Sequence, residues 1–481
     1  MTKFALTTSA LTLAMAASLA VPAMAQTATQ APVAMGSPAT QTAAPATTAA
    51  PSSASTQMNL SQAVSVGVMT NPEYGNVAAS RRATDEELNQ AKALYLPSID
   101  LHADGGIERT DSPSTRATGD DDKTFGRYSS SLTLTQLLFD GWGTKYEIER
   151  QKNRVQSSAY RVTETAELTG LNIVEAFLEV MRQRELLSIT RDNVAEHVSI
   201  MSMIEEGVNA GRSTQADLEQ IKARLAAARA AESTTRQQLR DAETSFLKNV
   251  GDMPKDLVMP AIPVNAVAPD VEAEVKAAFA GSPTLKVRTS DIDVATSEYQ
   301  GTGSTLYPKF NLQLGGAAGR NLSGIEGRDN SASALVTMDW NLYRGGGDVA
   351  RVREYKHRRQ EAKEVRTIAA RNLESDVRQT WASMVSAGER AKEFASQAAA
   401  NGEVVRAYKD QFSLDRRTLL DVLDAQNELF VSRSNTINAE FLEIFSVYRL
   451  LALKGQLLPT LGVAYPEENQ PIDIKKTPAE G

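Results

Sequence analysis

The second half of this chain repeats its first half, and that limits the fold more than any other feature. Pro72 falls on Pro283, Val64 on Val275, Pro97 on Pro308, Leu101 on Leu312, Gly105 on Gly316 and Arg109 on Arg320, all at a separation of 211 positions. From Phe139 onward the separation is 204, matching Gly141 with Gly345, Gly143 with Gly347, Phe177 with Trp381, Asp217 with Asp421, Leu225 with Leu429 and Gly251 with Gly455. Two constant offsets that span both halves mark a duplication. The one change of offset lies between Arg109 and Phe139, where a tolerated change of length indicates a surface loop. The expected organisation is one motif used twice, over residues 58–265 and 266–465.

Each copy reads as helix, two strands, long helix, helix. Leu60 to Ala93 has helical spacing, and Pro97 ends it. From Ser98 the period becomes two: Ile99, Leu101 and Ala103 share one face, while Asp100, His102 and Asp104 share the other. After a polar loop, Tyr128 to Phe139 alternates again. The second copy offers Phe310-Leu312-Leu314, a loop near 321–331, then Val336-Met338-Trp340-Leu342. Phe139, Trp142, Tyr307, Trp340 and Tyr343 stand near strand ends, where aromatic side chains suit a membrane–water girdle.

Residues 144–206 contain no proline and a single glycine, Gly170. Leu168, Leu171, Val174, Leu178 and Met181 step by three and four, as a helix–helix seam requires. A helix over this span would be about 95 Å long, with a return helix over 214–249 and second copies over 348–410 and 417–453. Helices of this length belong to a coiled-coil rod or to a tube with helical walls, and no single globular domain needs them.

The ends of the chain have a different character. Lys3, the apolar stretch Ala10 to Val21, and small residues at Ala23 and Ala25 form the pattern of a secretory signal peptide over residues 1–25. Residues 26–57 are a charge-free Ala/Thr/Pro-rich leader, expected to be disordered, and 466–481 a polar tail. After residue 25 no run approaches the ~18 apolar residues of a spanning helix, a test that amphipathic strands escape.

The 481 residues include no cysteine, so disulfides, thiolate catalysis, Cys-ligated zinc and lipidation of cysteine are excluded. A net charge of −8 argues against nucleic acid as a partner. His102, His197 and His357 are scattered without metal-ligand spacing. The glycines at 141/143 and 345–347 lack the lysine and hydroxyl of a phosphate loop, and no serine lies in Gly-x-Ser-x-Gly. The expectation is a non-enzyme without cofactor or metal.

Four strands with one apolar face cannot close a barrel, since barrels start near eight strands. Open edges in a bilayer would leave backbone groups unpaired at several kcal/mol each. The residues therefore require a barrel shared between chains and continued by helices along the same axis. A structural coiled-coil surface or filament protein would explain the helices but not the paired amphipathic hairpins.

Several stretches together resemble the TolC family of outer-membrane efflux proteins. They are Asn71-Pro72, Tyr95-Leu96-Pro97, Leu138-Phe139-Asp140-Gly141, Gly211 to Leu218, and Arg417 to Gln426. Leu137 to Gly143 also resembles the branch that serves type I protein secretion. The resemblance implies a mainly α fold with a small β part: a homotrimer with a twelve-stranded outer-membrane barrel and a periplasmic α-barrel. It implies a passive exit duct for protein or small-molecule cargo, docked to a periplasmic adaptor and an inner-membrane ABC or other transporter. It also places Asp421 and Asp424 at the periplasmic entrance as rings of negative charge. Arg417 and Asp217 would form the links that hold the entrance shut, and Gly211, Arg212, Ser213, Asp415 and Arg416 would be the helix tips that meet the adaptor. The family often has glycine where this chain has Asp415. Asp421 and Asp424 are one helical turn apart, so they share a face whatever their role.

Overall fold

The computed structural model describes residues 57–470 with the exception of Asp415. The expected signal peptide, nearly all of the leader, most of the tail and Asp415 lie outside the described residues. The elements run β1 (Gln57–Met58), α1 (Leu60–Thr70), α2 (Pro72–Ala93), β2 (Ser98–Glu108), α3 (Pro113–Thr118), β3 (Phe125–Phe139), α4 (Gly143–Asn209), α5 (Gln215–Val250) and β4 (Asp256–Leu257). They continue with α6 (Val271–Gly281), α7 (Pro283–Thr302), β5 (Lys309–Arg320), β6 (Arg328–Asp339), α8 (Gly347–Ser413), α9 (Leu419–Leu453) and α10 (Leu457–Thr460). Helix, strand pair, long helix and helix recur in the same order, and α4 and α8 have the same length of 67 residues.

The expected first helix is two. Asn71 is extended, its side chain accepts from Glu73 N, and Pro72 opens α2, so the chain stops and restarts there. Ser282 and Pro283 make the same break between α6 and α7. Both long helices exceed their expected spans by a few residues at the tip end, as frayed boundaries do. At 1.5 Å per residue each is about 100 Å long.

Helix α4 is the spine. It lies against α2, α5, α7 and α9, while α8 lies against α9 and α7. The largest core gathers Leu60 and Val64 of α1, Ile173 and Phe177 of α4, Phe246 of α5, Phe441 and Tyr448 of α9, and Leu457 and Leu458 of α10. Phe177 and Phe246 meet at 6.4 Å between ring centres. Gly170 lets α10 close on α4: a Cβ there would lie 2.9 Å from Leu458 Cδ1.

The four long strands form one antiparallel sheet in the order β2-β3-β5-β6, leaving β2 and β6 as edges. Its register sorts the two faces. Ile99, Leu134, Leu314 and Ala334 share one rung, and Leu101, Leu132, Gly316 and Ala332 another. The opposite face carries Asp100, Thr133, Gly315 and Ser333 on one rung and His102, Ser131, Ala317 and Ser331 on the next. Among the described residues nothing covers the apolar face, where Leu101 is 74% and Val336 66% exposed. Strand β3 starts at Phe125, three residues before the expected Tyr128. Strand β6 ends at Asp339, so Trp340 and Leu342 lie in the linker to α8, where Gly345 and Gly346 take positive φ and bend the chain away from the sheet.

At the helix end of the sheet the turn into α4 is tight. Asp140 Oδ2 accepts from both N and Oγ1 of Thr144 at 2.7 Å. Gly141 sits at φ +69, and a Cβ there would lie 2.7 Å from Tyr307 Cβ and 2.8 Å from Ser304 O. Gly141→Ala should cost about 1–2 kcal/mol from the left-handed backbone alone, with the clash added. The check is the yield of membrane-inserted protein and its unfolding midpoint, both lowered relative to wild type.

Candidate functional site

Two regions follow from this geometry: the helical tips, about 100 Å from the sheet along α4, and the sheet with its aromatic collar. At the first tip Gly211 takes φ +70, and Arg212 N and Ser213 N both donate to Gly207 O, at 2.8 and 3.2 Å. Thr214 then caps α5 in a reciprocal box. Its hydroxyl accepts from Asp217 N at 3.2 Å, and Asp217 Oδ2 accepts from Thr214 N and Oγ1 at 3.0 and 2.7 Å. The second tip repeats the device. Arg416 N donates to Gln411 O at 2.9 Å, and Thr418 and Asp421 form the box that starts α9, with Asp421 Oδ2 3.2 Å from Thr418 N and 2.8 Å from its hydroxyl.

The resemblance assigned Asp217 and Asp421 to a lock and a charge ring; inside the protomer each closes a helix start. Arg417 does not reach Asp217. Its guanidinium lies over the Tyr408 ring at 4.2 Å, donates to Gln411 Oε1 at 3.0 Å, and stands 4.0 Å from Asp421 Oδ2. Hydrogen bonds from Thr418, the hydroxyl first and the backbone second, hold the Asp421 carboxyl below its usual range, with Arg417 adding to the effect. Asp424 pairs with Arg224 of α5 at 3.2 Å. Beneath these polar groups Ile200, Ile204, Ile221, Leu419, Val422 and Leu423 form a small core that joins both tips into one unit.

The collar is a packed cluster. Trp142 meets Phe139 edge-on at 5.2 Å and Tyr307 edge-on at 5.4 Å, and Phe139 lies 6.4 Å from Phe310. Trp340 Nε1 donates to Leu306 O at 3.3 Å. Trp142, Tyr307, Trp340 and Tyr343 are nonetheless half or more exposed. Trp142 itself adopts φ +65, an unusual backbone for so large a residue, which the two ring contacts and the neighbouring Gly141 hold in place.

Fold and site together are those of a channel wall, and the sequence relatives agree. A family model described as outer membrane efflux protein matches residues 69–252 and 275–455. The chain belongs to the outer membrane efflux protein family. The Brucella suis outer membrane efflux protein BepC is 24% identical over 412 residues, covering 84% of this chain and 87% of BepC. Outer membrane protein TolC of Escherichia coli is 22% identical over 436 residues, covering 83% of this chain and 82% of TolC. A crystal structure of a membrane protein from Pseudomonas aeruginosa superposes with a TM-score of 0.73 at 16% identity, over 85% of this chain and 91% of that one. As a member of this family, the chain is an outer-membrane efflux protein.

Sequence reasoning missed some polar groups that hold this efflux protein together. Arg224 of the tip pair is one. Another is the ion pair of Glu274 and Lys454 at 3.0 Å, both almost fully buried, with Lys454 Nζ also donating to Ala266 O. His197, for which the sequence showed only the lack of metal-ligand spacing, is a buried residue of α4 with Nδ1 2.8 Å from Asn193 O. Glu167 is the most telling. It is 2% exposed and accepts from Leu457 N at 3.0 Å, Leu458 N at 3.3 Å and the Tyr465 hydroxyl, which clasps α10 and the segment after it to α4. One sequence signal was available: Glu167 stands four residues before Leu171 and so continues the apolar seam backward.

Burial pushes the Glu167 carboxyl up to about 7, against the opposing pull of its three donors. The folded state therefore holds this proton more tightly than the unfolded chain does. The stabilisation is complete in acid, below the ordinary carboxyl range, and is lost as pH rises through about 7. Glu167→Gln removes the titration. Between pH 5 and pH 8 its stability relative to wild type should rise by about 2–3 kcal/mol. Urea unfolding of both proteins across that range checks this, and a constant difference would refute it.

Proposed function

We propose that the chain is the outer-membrane exit duct of a tripartite export system, assembled as a homotrimer whose twelve strands close one barrel. The observation that carries this reading is the four-stranded sheet, apolar and uncovered on one face and open at both edges, joined without a linker domain to helices about 100 Å long. Lipid takes the apolar face, neighbouring copies take the edges, and the long helices carry the conduit into the periplasm. The collar of Phe139, Trp142, Tyr307, Trp340 and Tyr343 sits at the barrel's periplasmic boundary, where rings with polar atoms rest at the headgroup level.

At the far end Asp421 and Asp424 line the entrance. In a trimer they become rings of like charge that concentrate cations and oppose full closure. Arg417, stacked on Tyr408 at the tip surface and 4.0 Å from Asp421 Oδ2, ties to the neighbouring copy's turn, with Asp217 the matching carboxylate. The tips at Gly211, Arg212, Ser213, Asp415 and Arg416 meet a periplasmic adaptor, which links the duct to an inner-membrane transporter that supplies the energy. The Leu137 to Gly143 strand exit favours type I secretion of protein cargo over small-molecule efflux.

The deciding experiment is reconstitution in a planar bilayer. The purified protein should form cation-selective channels, and a soluble monomer without conductance would overturn the reading. Asp421→Ala with Asp424→Ala should reduce cation selectivity while leaving the channels intact, measured as a smaller reversal potential in a salt gradient. Deleting the gene should remove large proteins from the culture medium. A strain with an unchanged secreted profile but raised drug sensitivity would assign the duct to efflux instead.

A further inference from the structure

We infer that the two loops at the far end of the sheet form one joined cap, and that Arg127 positions this cap against the inner wall and so sets the aperture and ion preference of the exit. The inference rests on the export-duct reading, which makes the polar face of the sheet the lumen.

The β2–β3 loop is built, not slack. Ser112 and Thr115 form a capping box at the start of α3, with Ser112 N donating to Thr115 Oγ1 at 2.8 Å. Gly119 ends the turn at φ +74, and Thr115 is fully buried. Asp120, also buried, donates its N–H to Thr115 O at 2.8 Å and accepts from Lys123 Nζ at 2.8 Å. The β5–β6 loop is pinned by Asn321, whose Nδ2 donates to Gly126 O at 2.9 Å and whose Oδ1 accepts from Gly327 N at 3.1 Å. The two loops meet at Gly324, φ +75, where a Cβ would lie 2.7 Å from Thr110 Cβ and 3.1 Å from Thr115 Cγ2. Only a residue without a side chain permits that approach.

One chain of polar contacts ties this joint to the wall. Thr110 Oγ1 donates to Glu108 Oε1 at 2.9 Å. Arg127 Nη1 lies 3.3 Å from Glu108 Oε2, and its Nε lies 3.2 Å from Asp104 Oδ2. Arg127 stands opposite Gly106, so Asp104, Glu108 and Arg127 all project from the polar face. The rung of Asp104 continues through Ser129 and Gly319 to Asp329, and the next one carries His102, Ser131, Ala317 and Ser331, so most side chains there are too short to fill a lumen. Arg127 is thus the cation that holds two carboxylates together and, through Glu108 and Thr110, the loops. Removing it leaves Asp104 and Glu108 to repel each other, detaches the cap and adds negative charge to the exit.

The test uses the full-length protein in lipid. Arg127→Gln should raise trypsin cleavage of the loop at Arg116 and Lys123 by about two- to five-fold, the population shift expected when a half-exposed ion pair is lost. It should also raise single-channel conductance and shift the reversal potential toward cations. Gly324→Val opens the joint without changing charge, so cleavage and conductance should rise while the reversal potential stays at the wild-type value. The swap of Arg127→Glu with Glu108→Arg should restore resistance to cleavage. Wild-type channels that conduct, with cleavage and selectivity unchanged in Arg127→Gln, would overturn the inference, as would a swap cleaved as fast as the single variant. A wild-type protein that forms no channels would instead overturn the reading on which the inference rests.

Discussion

A β-strand in hydrocarbon must have every backbone donor and acceptor paired, because no water is there to replace a missing partner. This protomer offers four strands with two open edges, and the rest of its structure answers to that shortfall. Among the described residues the apolar face has no second layer, and in the proposed assembly lipid takes that place. The long helices leave the sheet at one end only, which keeps the strand edges clear. The tight turn at Asp140 and Gly141, braced by Tyr307 and Trp142, converts strand to helix within a few residues and fixes the angle at which α4 leaves the sheet.

The helical wall is held by a different balance. Its length is maintained by continuous apolar seams, and its registration by a few buried polar groups at defined heights. At the tip the exposed Arg224–Asp424 pair only adds a contact between α5 and α9; the buried groups are Glu167, which clasps α10 and Tyr465 to α4, and the Glu274–Lys454 pair, which fixes α6 against the end of α9. Buried charges of this kind cost desolvation, so their net contribution to stability is small, but an unpaired alternative register would cost more. They determine where the helices sit along one another, which a smooth apolar seam leaves loose.

Much of this was legible in the sequence because it is periodic. The alternation of Ile99, Leu101 and Ala103 against Asp100, His102 and Asp104 shows a two-faced strand, and the repeat offset shows that the strand pair occurs twice. The long helices followed from uninterrupted seams. What escaped depends on single contacts between distant parts of the chain. The break at Asn71 needed the side chain's own hydrogen bond to Glu73 N. The end of β6 before Trp340 came from the glycines that follow it, against a hydropathy pattern that continued. Helix α3 is six residues long, too short for any period to declare. At the tips the family resemblance pointed to Asp217 and Asp421 as entrance charges, and the structure shows each closing a helix-start box, a second role that Thr-x-x-Asp serves equally well. The partner of Arg417 is set by Tyr408 and Gln411, which lie on the preceding helix and enter no local motif.

The central claim is that the sheet is finished by other copies of the same chain. Hydrogen exchange of backbone amides in lipid-reconstituted protein tests it most directly. The outward-pointing amides of β2 and β6 should exchange as slowly as those of the interior strands β3 and β5, because each edge is paired across a subunit boundary. If the β2 and β6 amides exchange freely while β3 and β5 stay protected, the edges are open in the membrane and the shared barrel is wrong.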